Sequence, residues 1–102
     1  MNFPGWPSGN YKGLMVLNLS NEAIESKFDL SLFRGKDDLD CYFAGWTDSS
    51  FGLLSLMKYD NSPANGFVVY IDYQQNTKDA IAVLKSDYGI SDEEITWVQC
   101  EI

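Results

Sequence analysis

The chain contains no histidine. That removes the Ser-His and Cys-His nucleophile pairs and every histidine-ligated metal. Arg34 is the only arginine, and neither GxGxxG nor GxxxxGK[ST] occurs, so a phosphate clamp would rest on scattered lysines. The two cysteines, Cys41 and Cys100, form no CxxC and no metal-ligand spacing. Each lies in a strand-like run and reads as a small buried hydrophobe with a reduced thiol. The start, MNFPGWPSGNYKG, has neither the basic nor the apolar region of a signal peptide. No apolar run approaches the roughly 18 residues of a membrane span. These absences point to a cytoplasmic protein without membrane contact.

Acids are abundant, at 15 against 7 bases, for a net charge of −8. Such a field repels nucleic acid and anionic lipid and attracts basic proteins. It also serves solubility, since a charge of this size is ordinary for a small domain. Aromatics make up 15% of the 102 residues, enough with the other apolar residues for a single domain over 1–102 with one core.

Residues 1–12 read as an irregular arm pinned by Phe3, Trp6 and Tyr11. GLMVLNL, Gly13–Leu19, reads as a strand. Ser20 or Asn21 caps a helix whose face is Ile24, Phe28 and Leu32, with Gly35 ending it. Leu39–Thr47 alternates as a strand, Asp48–Ser50 turns, and Phe51–Tyr59 returns as the second arm of a hairpin. DNSPANG, 60–66, is loop punctuation, in which Asn65-Gly66 tolerates positive φ. Phe67–Tyr73 is apolar at nearly every position, as a strand covered on both faces would be. Asn76 or Thr77 caps a second helix with the apolar face Ala80, Ile81, Val83, Leu84 and Tyr88. Gly89 ends it, and Ile90 folds back onto it. Ser91–Glu94 is a polar connector to a last strand, Ile95–Ile102.

The expected order is β-α-β-β-β-α-β. This predicts an α+β, two-layer sandwich: two helices on a mainly antiparallel sheet of about five strands. The strand from Phe67, the second helix and the last strand can form a right-handed βαβ unit. A ferredoxin-like topology with one added strand is a candidate.

The stretch RGKDDLDCYFAGWTD, 34–48, concentrates the chemistry. Asp37, Asp38 and Asp40 cluster before an aromatic strand, but without the alternate acids, glycine and terminal glutamate of an EF-hand loop. From Asp60, Ser62 and Ala64 stand where such a loop needs acids. Paired catalytic carboxylates require burial, and these read as solvated. The expectation is a non-enzyme with no cofactor and no metal. Aromatics alternating with acids instead suit an interface to a cationic surface. The predicted partner-binding set is Asp37, Asp38, Asp40, Tyr42, Trp46, Asp48, Tyr59 and Asp60.

The whole-chain profile, with KYDNSPANGFVVYIDY followed by NTKDAIAVLKSDYGISDEEITW, resembles the small acidic immunity proteins of bacterial polymorphic-toxin and contact-dependent growth-inhibition systems. The resemblance implies a cytoplasmic antitoxin that neutralises one cognate toxin domain, often a basic nuclease, by covering its active site or substrate surface. It carries no residue across by motif. Two alternatives remain open: an inhibitor that mimics nucleic acid to occupy a host enzyme, and a small ligand-binding domain.

Overall fold

A computed structural model describes residues 11–36, 40–49, 52–61 and 66–99. Its elements are β1 (Tyr11–Leu17), α1 (Asn21–Phe28), β2 (Phe33–Lys36), β3 (Cys41–Ser49), β4 (Gly52–Tyr59), β5 (Phe67–Asp72), α2 (Thr77–Asp87), a 3₁₀ turn (Asp92–Glu94) and β6 (Ile95–Val98). The strands form one antiparallel sheet in the order β2-β3-β4-β5-β1-β6. The class is α+β as expected, with six strands in place of about five.

The extra strand is β2. Ile24 and Phe28 do form the buried face of α1, but the helix stops before Leu32. Asp29 takes a left-handed conformation (φ 51°), and its N–H donates to the Glu25 carbonyl. The Glu25 carboxylate then accepts from the Leu32 backbone N–H at 2.9 Å. Leu30 and Leu32 cross β3 at Gly45, where a Cβ would stand 2.8 Å from Leu30 and 3.3 Å from Leu32. Gly35, expected as a helix terminator, lies inside β2 opposite Tyr42.

The expected βαβ unit is also changed. β5 and β6 do not touch; β1 lies between them, antiparallel to both. The unit is therefore split, and β5 and β6 run parallel across β1. With β3 and β2 set aside, the connections follow the ferredoxin-like order, so two strands are added at that edge rather than one.

Helix α2 forms as its signals dictate. The Asn76 side chain accepts from Asp79 N–H at 3.0 Å, Gly89 follows with φ 65°, and Ile90 is buried. Both helices pack on one sheet face. Ile24, Phe28, Ala80 and Leu84 meet Met15, Leu17, Leu54, Leu56, Phe67, Val69 and Ile71. Leu84 is fully buried, so Leu84→Ala is expected to cost about 2–5 kcal/mol in a denaturant titration. The opposite face carries a smaller cluster of Tyr42, Ala44 and Met57, with Phe33, Tyr59 and Tyr70 against it.

Most other boundaries move by a residue or two; β6, expected over Ile95–Ile102, ends at Val98, and residues 100–102 lie outside the described residues. β1 begins at Tyr11, a residue assigned to the arm from sequence. Phe3, Trp6, Asp37, Asp38, Leu39, Phe51, Pro63, Asn65 and Cys100 lie outside the described residues. Cys41 is half-buried with a free thiol. Among the described residues no helix is long and apolar enough to cross a membrane.

Candidate functional site

Strands β3 and β4 bring part of the predicted set together. Their pairing sets Tyr42 opposite Tyr59, Trp46 opposite Ser55 and Asp48 opposite Leu53. Asp40 precedes β3 and Asp60 follows β4, so Asp40, Tyr42, Tyr59 and Asp60 share one end of the hairpin. Asp48 is exposed at the other end, beside the turn where Ser49 Oγ donates to the Gly52 carbonyl at 2.6 Å. Asp37 and Asp38 are not among the described residues.

The aromatics form a row on the sheet face opposite the helices. Tyr59 meets Tyr42 edge-on at 5.6 Å between centroids. Tyr42 meets Phe33 at 6.2 Å, and Phe33 meets Trp46 at 5.7 Å. Such edge-to-face contacts follow the ring quadrupoles and stabilise the row. Tyr42 is only 3% exposed, so it works as packing within this layer, with Trp46 and Tyr59 half-buried beside it. Phe33 was missed as a member because the helical reading extended over it. The four-residue alternation of FRGK was the signal.

The two described carboxylates at this end are turned to internal work. Asp40 Oδ1 accepts from Cys41 N–H at 2.8 Å and from Asn61 Nδ2 at 3.0 Å, and its Oδ2 accepts from Asn61 N–H at 2.7 Å. This fastens the exit of β4 to the entry of β3. Asp60 is held bidentately by Arg34, with Nη1 to Oδ1 at 2.8 Å and Nη2 to Oδ2. The same guanidinium lies 4.4 Å from the Phe43 ring centroid. The hydrogen bond from Arg34 holds the Asp60 carboxyl below its ordinary range. The hydrogen bond from Ser91 N–H does the same for Glu94.

A lowered folded-state pKa stabilises above the unfolded value and loses that contribution as pH falls through the folded one. Asp60→Asn and Glu94→Gln are therefore expected to flatten the loss of stability below about pH 4. Urea midpoints measured across the acid range check this. Both sites face solvent, so the change is small. An unaltered acid limb in both variants would contradict it.

Charge is unevenly distributed. Antiparallel connectivity sets the loops bearing Asp40, Asp60 and Asp92–Glu94 at one end of the sheet, with Asp48 and Asp72 at the other. Among the described residues nine acids are exposed against four bases. Two of those bases are already paired, Arg34 with Asp60 and Lys85 with Asp92. Among the described residues no three histidine, cysteine, aspartate or glutamate side chains converge as a metal site. No protein-family model, curated protein or solved structure matches the chain.

Proposed function

We propose that this chain is an immunity protein: a cytoplasmic, non-catalytic antitoxin that binds a basic toxin domain, a nuclease, and covers its substrate surface. The observation that carries this reading is the gathering of acids on the loops at one end of the sheet. A nuclease surface that receives phosphate is cationic, and an acidic inhibitor complements it, speeding encounter and excluding wrong partners. Asp40 and Asp60 brace the hairpin here. Asp87 and Glu93, exposed at and beyond the end of α2, are among the described charges open to a partner here.

This reading predicts a toxin-bearing gene immediately upstream, and the test uses the domain that such a gene encodes. Wild-type chain should protect cells expressing that domain and bind it in a salt-dependent manner. Asp87→Lys with Glu93→Lys should slow association and reduce the salt slope, because exposed rim charges act chiefly on the on-rate. Asp48→Lys with Asp72→Lys, at the opposite end, should change both less. Absence of both protection and binding by the wild-type chain would end this reading. Equal effects from the two pairs would remove the assignment to this end.

A further inference from the structure

The two sheet edges are built differently. Edge strand β2, FRGK, exposes Arg34 and Lys36. Charge on an edge strand discourages another chain from pairing with it. The other edge, β6, is ITWV, with no charge and no proline. Trp97 is 48% exposed and Val98 39%. A bulge at Thr96, which has no partner on β1, leaves regular pairing at Trp97 and Val98. Gln99 N–H donates to the Leu14 carbonyl at 2.8 Å. By the alternation of an antiparallel pair, the N–H and C=O of Val98 then point away from β1. Among the described residues no strand lies on that side.

The flanks of this edge differ in chemistry. On the helix side a cavity of about 380 Å³ opens between α2 and β6, lined by Ile81, Lys85, Asp92, Ile95, Val98 and Gln99. Its cation is neutralised, since Lys85 Nζ stands 2.7 Å from Asp92. On the other face Trp97 presents its indole, the ring that best attracts a cation.

We propose that β6 receives an extended segment of a partner protein as a seventh strand, with apolar side chains entering the α2 groove and a lysine or arginine on the Trp97 side. Backbone pairing supplies affinity in this mode, and alternate side chains supply specificity. Charge selects this occupant over a second copy. Each copy carries −8, so self-pairing sums like charge while a cationic strand neutralises it.

The inference rests on the partner-binding reading above and has a test of its own. The probe is a synthetic peptide of alternating valine and arginine, followed by calorimetry and by hydrogen exchange at the Val98 amide. Binding should protect that amide. Val98→Pro removes only an outward N–H, so the fold should persist while affinity falls about tenfold or more. Val98→Lys should weaken binding similarly and serves if the proline variant unfolds. An alternating valine–glutamate peptide should not bind. Equal binding by both peptides, or by wild type and a folded variant, overturns the proposal. So does a wild-type dimer in sedimentation that Val98→Lys dissociates, which would make the occupant a second copy. If the toxin domain binds Val98→Pro as well as wild type, the edge assignment fails and the function stands. If the toxin domain does not bind wild type while the valine–arginine peptide does, the function fails and the edge stands.

Discussion

Replacing Gly66 by alanine is expected to destabilise the protein by about 3 kcal/mol or more. Gly66 enters β5 with φ +149°, a conformation that side-chain-bearing residues rarely adopt. A Cβ there would also overlap the Leu17 carbonyl oxygen and stand 2.8 Å from its carbon. That obstacle is backbone of β1, which pairs Leu17 with Phe67, so no side-chain rotation relieves it. For a domain of this size the loss corresponds to a melting temperature lower by about 12 °C or more. The total stability of such domains is only about 5–15 kcal/mol, so the variant would be near its folding limit. Thermal unfolding followed by circular dichroism checks this. A melting temperature within about 2 °C of wild type would show that the β1–β5 contact yields more readily than the geometry implies.

Phe28→Ala is expected to cost about 3–5 kcal/mol. Phe28 is 1% exposed at the last turn of α1. Its ring stacks on Tyr88 with centroids 4.7 Å apart. The contact joins the ends of both helices over the sheet, so truncation leaves a cavity where two elements meet. Within the total, a double-mutant cycle with Tyr88→Ala should isolate a coupling of about 0.5–1.5 kcal/mol. Urea titrations should show lowered midpoints at unchanged slope. Strict additivity would show that the rings are neighbours without mutual stabilisation.

The parts of this fold legible in the sequence are those whose causes lie within a few residues. Asn76 as a cap, Asp79 in the first turn, the apolar positions Ala80 and Leu84, and Gly89 beyond the end form a local code, and α2 follows it. The hairpin of β3 and β4 was equally readable from alternation. β2 was not. Leu32 continues the spacing of Ile24 and Phe28, and four residues of alternation are too few to outweigh that pattern. What decides the matter is the packing of Leu30 and Leu32 over Gly45, on a strand that lies further along the chain.

The candidate site divides in the same way. Composition alone set the surplus of acid and the lack of histidine chemistry, and residue order set the aromatic alternation of β3. Only the tertiary structure decided which carboxylates face outward. Asp40 turns to Asn61, 21 residues away, and Asp60 to Arg34, 26 residues away. Only sheet order makes β6 an edge, because β1 pairs with β5 on one side and β6 on the other. Periodicity and capping depend on near neighbours along the chain, whereas strand order and the fate of a charged side chain depend on partners that folding brings from far along it.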